Sequence, residues 1–213
     1  MLHAMSRDMS TGETGFAIAG VLVAAGDSSR LGAPKQLVEF AGEPLVLRAA
    51  RAAVEHCTAG LVVVTGAMHE PVEAALTGIS VTVARNPEWR EGIGASIRCG
   101  VRATDARADA FLVLLCDQPQ VGAEELASLV AAWRAAPEAI AAAGYAGSHG
   151  VPAVFPACFR QRLMDLSGDR GARALIDAAD NLTVVEMPVA AFDVDTPEDV
   201  QRMSRARPGR GSD

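Results

Sequence analysis

Aromatic side chains are scarce in this chain. Phe, Trp and Tyr make up 4% of its 213 residues, although half of all residues are apolar. A core so poor in rings has to be built from Ala, Val, Leu and Ile, which suits close packing of helices on a sheet. Cysteines are few as well. Cys57, Cys99, Cys116 and Cys158 form no Cys-x-x-Cys pair and no His cluster joins them, which argues against a zinc site. They read as thiols of a reducing compartment. No run of eighteen apolar residues occurs, so no membrane-spanning helix is expected. Met1 to Gly15 are polar, without the apolar centre of a secretory signal, so the expected location is the cytoplasm. Positive charge is in deficit: 19 Lys and Arg against 26 Asp and Glu give a net charge of −7. That argues against general nucleic-acid binding, which needs a basic face, yet leaves room for a local cationic pocket.

What is present points to one domain. A chain of this length can bury roughly 70% of its unfolded surface in a single core. The domain is expected over residues 16–203, with flexible tails at 1–15 and 204–213, the second rich in Arg, Gly and Pro. Apolar runs at Ala17–Ala25, Leu61–Val64, Val81–Ala84 and Phe111–Leu115 end at Gly, Asn, Asp or Pro. Runs apolar on both faces are expected for parallel strands covered by helices. Between them, Pro44–His56, Pro71–Leu76, Ser96–Ala103 and Ala123–Ala135 carry apolar residues at helical spacings. Further strands are expected at Ile140–Tyr145, Val151–Phe155 and Leu182–Met187, and a last helix at Pro197–Met203. This alternation predicts an α/β fold, a Rossmann-like and mostly parallel sheet with helices on both faces. In such sheets ligands bind beyond the carboxyl ends of the strands, so the residues after each strand carry the functional reading.

The first of these loops runs from Ala24 to Lys35 and holds two Gly, two Ser, Arg30 and Lys35. Glycines let backbone N–H groups approach an anion. An arginine forks onto phosphate oxygens and a lysine adds a point charge. The parts needed to hold a triphosphate are therefore together. The competing motifs fail. Gly26 and Gly32 are separated by five residues instead of the four of a P-loop, and Lys35 precedes Gln36 instead of Ser or Thr. There is no G-x-G-x-x-G, and Gly26 to Arg30 lacks the closing Gly of a nucleophile elbow.

The pattern Leu-x-Ala-Ala-Gly-x-Ser-x-Arg-Leu-Gly-x-Pro-Lys-Gln-Leu, from Leu22 to Leu37, resembles the signature of the molybdenum cofactor nucleotidyltransferases, and most of all their cytidylyltransferase branch. The resemblance runs from about Leu22 to Val200. It implies that Ala24, Ala25, Gly26, Ser28, Arg30 and Lys35 bind the nucleotide. Lys35 would act at the α-phosphate and Arg30 on the leaving pyrophosphate.

Carboxylates follow two later strands. Cys116-Asp117-Gln118-Pro119 closes the run at Phe111–Leu115. An Asp there is either a turn or cap residue or a ligand for a magnesium ion that bridges phosphates. Its similarity to the family's metal-binding segment implies the ligand role. Asp193 and Asp195 are two apart and share a face if the segment is extended. Thr196 and Asp199 suit a capping box for the last helix. The resemblance makes Asp195 the second magnesium ligand and Asp193 a weaker candidate.

Asn86-Pro87-Glu88-Trp89 and the stretch Gly92 to Ser96 are similar to the family's nucleobase region, which implies contacts from Gly94 and Ser96; otherwise Ser96 is a helix cap. His149, Pro152, Asp169 and Arg173 would face the pterin acceptor. Val151 departs from the family there, where His often precedes the Pro. Asp169 and Arg173, four apart, read equally as a helical salt bridge. His3, His56 and His69 stand in no constellation.

The resemblance implies an Mg²⁺-dependent transfer of CMP from CTP to the phosphate of the molybdopterin-type cofactor. The possible partners are a recipient molybdoenzyme or its chaperone, with no nucleic acid and no membrane. A phosphate monoester, with a second pKa near ~6, is already a nucleophile at neutral pH, so no general base is required. Two alternatives stay open: a guanylyl- or other nucleotidyltransferase acting on a sugar or isoprenoid phosphate, and a non-catalytic protein that delivers the cofactor.

Overall fold

The computed structural model describes residues 15–205. The tails expected at 1–15 and 204–213 therefore lie outside the described residues, except at their inner ends. The chain first enters strand β1 (Ile18–Ala24), then the small hairpin β2 (Glu39–Phe40) and β3 (Glu43–Pro44), and helix α1 (Leu45–Val54). Next come β4 (Leu61–Thr65), α2 (His69–Ala75), β5 (Thr82–Arg85), α3 (Ile93–Ala103), β6 (Ala110–Leu115) and α4 (Ala123–Ala135). The last part holds β7 (Ile140–Tyr145), β8 (Ser148–Pro156), α5 (Arg160–Met164), α6 (Arg173–Asp177), β9 (Leu182–Glu186) and α7 (Pro197–Arg205).

Seven strands form one sheet in the order β5-β4-β1-β6-β8-β7-β9. Only β8 runs against its neighbours; every other pair is parallel. Alternation along β1 explains why it is buried on both sides. Ile18, Leu22 and Ala24 face a core shared with Val46, Val72, Leu126 and Trp133. Ala19, Val21 and Val23 face a second core with Ile97, Val101, Phe155 and Leu163. Two-sided burial requires the nearly continuous apolar run seen in the sequence. Small residues bring α3 close to the sheet: a Cβ on Gly100 would lie 2.8 Å from Val64 Cγ2.

The strand order reverses beside β1. The chain goes from β1 outward to β4 and β5, then returns to β6 on the other side. A crevice opens where the loops after such neighbouring strands diverge. Here those loops begin at Ala25 and Cys116.

Several expected boundaries move, among them the start of β8, now at Ser148, and the bounds of α3 and α7. α3 starts at Ile93, three residues before Ser96, because Gly92 takes φ 104° and turns the chain into the helix. Ser96 is thus buried inside the helix and is not its cap. α7 extends through Arg205. It begins as expected: Asp199 Oδ2 accepts from the Thr196 N–H at 2.9 Å, and Thr196 Oγ1 accepts from the Asp199 N–H at 3.2 Å. This reciprocal pair satisfies N–H groups that the helix leaves open.

Candidate active site

Beyond the ends of β1 and β6 lies a cavity of about 540 Å³. Ala24, Ala25, Gly26, Lys35, Ser96 and Asp117, which the resemblance assigns to the nucleotide, are among its walls. A smaller cavity of about 150 Å³ adjoins it through Gly26, Asp27 and Lys35, and is completed by Ser28, Ser29, Arg30 and Asp195.

The loop that joins the two is shaped from within. Ser28 takes φ 57° and its Oγ accepts from the Lys35 N–H at 2.9 Å. Ser28 therefore folds the loop back on itself. Gln36, buried to 1% exposure, donates Nε2 to the carbonyls of Ala24 at 3.1 Å and Gly26 at 2.7 Å. It clamps the loop to the end of β1. Sequence reading missed Gln36; the available signal was its place directly after Lys35.

Charge concentrates at the junction. Lys35 Nζ lies 2.5 Å from Asp117 Oδ2 and 2.8 Å from Asp195 Oδ1, and Arg30 Nη2 lies 2.8 Å from Asp195 Oδ2. Burial works against the Lys35 ammonium. The charges of Asp117 and then Asp195 outweigh it and hold the group above the ordinary lysine range. Desolvation likewise pushes Asp195 up, but Lys35 and then Arg30 hold it below the usual carboxylate range. Asp193 is raised to about 6, first by partial burial and then by the negative charges of Asp117 and Asp195.

Backbone and amide bonds hold the two aspartate segments together. The Val194 N–H donates to the Asp117 carbonyl at 2.9 Å. Gln118, 5% exposed, donates Nε2 to Ala190 O at 2.9 Å and to Val151 O at 3.2 Å. Those two carbonyls fix the amide's orientation, since the flipped amide would set oxygen against oxygen. Gln118 Oε1 is then left buried without a partner.

Asp117 Oδ1 is also buried without a hydrogen-bond partner. Such an oxygen suits a cation, because leaving it unpaired is costly. Among the described residues no group of three or more His, Cys, Asp and Glu side chains is arranged to hold a metal ion. Two carboxylates that need phosphate oxygens to complete the shell fit a hard cation of the magnesium type.

The far end of the cavity is lined by small, apolar and hydroxyl-bearing residues together with two charged ones, Arg90 and Asp169. Ala25, 2% exposed, lies at its floor, with Gly92, Ile93, Ser96 and the Trp89 ring around it. Ser96 Oγ accepts from Asn86 Nδ2 at 3.1 Å. Arg90 stacks on Trp89, 4.3 Å from the ring centroid. Trp89 closes the Asn86–Trp89 stretch that the resemblance placed at the nucleobase; Arg90 was not singled out from the sequence. Gly94 does not line the cavity; its N–H donates to Gly168 O at 3.0 Å.

The acceptor candidates separate. Asp169 lines the large cavity, whereas His149, Pro152 and Arg173 do not. His149 Nε2 is 3.2 Å from Asp177 Oδ1, and Arg173 Nη2 donates to Ser148 Oγ at 2.5 Å. Pro152 is buried in β8. The helical Asp169–Arg173 bridge does not form, because α6 begins only at Arg173; its i,i+4 partner is Asp177, at 3.8 Å.

A glycine-bearing loop after a buried strand, a lysine between two aspartates and an adjoining slot describe a nucleotidyltransferase, and the comparisons agree. The chain belongs to the family of the MobA-like NTP transferase domain, which it matches over residues 20–183. It is 30% identical over 203 residues to the purine catabolism protein PucB of Bacillus subtilis, covering 88% of this chain and 96% of that one. The crystal structure of Rv0371c from Mycobacterium tuberculosis H37Rv is 29% identical, with a TM-score of 0.74 over 89% of this chain and 98% of the other. A manganese complex of Rv0371c is 26% identical, with a TM-score of 0.72 over 89% of this chain and 99% of the other.

Proposed function

We propose that the chain transfers CMP from CTP to the phosphate of a molybdopterin-type cofactor, with release of pyrophosphate and in need of a divalent cation, Mg²⁺ in the cell. The observation that carries this reading is Lys35 held between Asp117 and Asp195 at the mouth of a slot floored by Ala25. In the reaction an acceptor phosphate oxygen forms a bond to the α-phosphorus, and the bond from that phosphorus to the bridging α–β oxygen breaks. Catalysis of this kind is mainly positioning and charge neutralisation. Lys35 meets the charge that builds at the α-phosphate. Arg30 steadies the departing pyrophosphate from the smaller cavity. Asp117 and Asp195 would hold the cation, which supplies neutralisation of the phosphate oxygens. The unpaired Asp117 Oδ1 and the manganese bound by the related Rv0371c protein support that assignment. Gly26 and Ser28 shape the loop around the phosphates.

The choice of CTP rests on Ala25. A methyl at this lining position leaves less room for a two-ring purine than a glycine would, and the family resemblance implies Ala here for cytidylyl transfer and Gly for guanylyl transfer. Pyrophosphate release by the purified protein, with Mg²⁺, the molybdopterin cofactor and CTP, GTP or UTP in turn, tests the proposal. CTP is expected to be preferred. Equal or better use of GTP would sink the cytidylyl assignment, and no release with any nucleotide would favour a delivery protein.

A further inference from the structure

The loop from Leu166 to Gly171 forms a wall of the nucleotide cavity, fastened at three points. Arg98 Nη1 donates to Leu166 O at 3.0 Å, and the Gly94 N–H donates to Gly168 O at 3.0 Å. At its end, Gly171 sits on Ile93, where a Cβ would lie 2.7 Å from Ile93 Cγ2. Two glycines of the base loop make the contact possible. A Cβ on Gly92 would lie 2.6 Å from the Gly168 carbonyl carbon and oxygen, and one on Gly94 would lie 2.8 Å from the Ser167 backbone. Real Cβ atoms do not come so close, so the loop is seated where side chains are missing.

This seat sets Asp169, an exposed residue, on the lining of the cavity with its Oδ1 beside Gly92. Arg173, four residues on, turns to Asp177 instead. At the same end Ser96 already accepts from Asn86, so its own O–H remains to donate. The slot thus offers one acceptor-only group and one hydroxyl donor to whatever base lies there.

We propose that Asp169 is a specificity-determining residue that accepts a hydrogen bond from the exocyclic amine of the nucleobase, with Ser96 donating to a ring acceptor. This rests on the nucleotide reading of the cavity. An ionised carboxylate only accepts. Cytosine presents an amine at its 4-position, whereas uracil presents a carbonyl oxygen there, whose lone pairs would face those of Asp169. Sites built around such a bond reject the mismatched partner far better than apolar pockets sort by size. Ala25 and Asp169 then divide the selection: the first judges ring size and the second judges the amine.

The test is calorimetric binding of CTP, UTP and 2′-deoxy-CTP to wild type and Asp169→Asn with Mg²⁺ and no acceptor. Asparagine keeps the shape and can present either a donor or an acceptor. Wild type is expected to bind CTP about a hundred-fold more tightly than UTP, and Asp169→Asn to narrow that ratio about ten-fold or more. The CTP to 2′-deoxy-CTP ratio is expected to stay the same. An unchanged CTP to UTP ratio, or a change confined to the deoxynucleotide, would overturn the proposal. Wild type that binds none of the three would remove the nucleotide reading as well.

Discussion

The two ends of the cavity are built in opposite ways. The phosphate end gathers Lys35, Asp117 and Asp195 from three distant stretches of chain, with Arg30 and Asp195 separated by 165 positions. Its groups are charged and already bonded to one another. The base end comes largely from one short stretch, Trp89 to Ser96, joined by Ala25 and the Asp169 loop. Its lining carries two charged residues, Arg90 and Asp169, and its backbone is shaped by glycines. The difference follows from what each end meets. Every nucleoside triphosphate carries the same phosphates, so on the proposed reading the charged end would have nothing to choose and would act on rate. Bases differ by single groups, so on the same reading the other end would govern choice. Variants at the first end should slow all nucleotides alike, and variants at the second should change their ranking.

The largest effect is expected at Asp117. Asp117→Asn keeps the shape but weakens the cation site, which is worth several kcal/mol of transition-state stabilisation, about 3–5. Pyrophosphate release should become undetectable or nearly so for every nucleotide, with an unchanged circular dichroism spectrum. A folded variant with a near-normal rate would remove Asp117 from the mechanism.

Lys35→Ala comes next. It should lower kcat about a hundred-fold or more while KM for the nucleotide moves much less, because the ammonium acts where charge develops. Steady-state kinetics showing only a raised KM would make Lys35 a docking charge.

Ala25→Gly probes the other end. Removing one methyl should improve kcat/KM for GTP relative to CTP by roughly ten- to two-hundred-fold, the worth of such a contact. The rate with CTP should barely change. A uniform loss across nucleotides would break the division between the two ends.

The smallest effect concerns acid stability. The folded pKa of Asp195 lies below its unfolded value of about 3.9. Its ion pairs with Lys35 and Arg30 therefore add stability that is fully present above about pH 4 and lost as pH falls toward the lower folded value. Asp195→Asn should flatten the acid limb of a urea-unfolding stability profile measured without metal. No comparable change is expected for Ala25→Gly. An acid limb of identical slope in Asp195→Asn would show that the ion pairs contribute nothing measurable.

Much of this was legible in the sequence, for physical reasons. Strands buried on both faces must be continuously apolar, so β1, β4 and β6 stood out, and the residues that follow them could be read as ligand-facing. Lys35 and Asp117 were found that way. What escaped depends on contacts across the fold. Nothing local marks Gln118 as the amide that joins the Asp117 loop to Ala190 and Val151. The start of α3 was misplaced because Ser is a common cap, whereas the turn is made by Gly92 with its positive φ. Asp169 and Arg173 have helical spacing, but the helix begins only at Arg173, and the loop before it is drawn to Gly92 and Gly94. Spacing along a chain cannot reveal such a seat, because the missing side chains belong to another segment.

The position of Asp195 bears on how independently the sheet and the site are built. All seven strands of the sheet lie before residue 187, and the segment that brings Asp195 comes after them. Every strand of the sheet therefore precedes this carboxylate, which no strand carries. Val194 packs with Phe40, Leu45 and Met203, and its N–H docks on the Asp117 carbonyl. The second carboxylate is thus held by a segment docked on the sheet and not by a strand of it, so loosening that dock would disturb the pair while leaving the sheet intact.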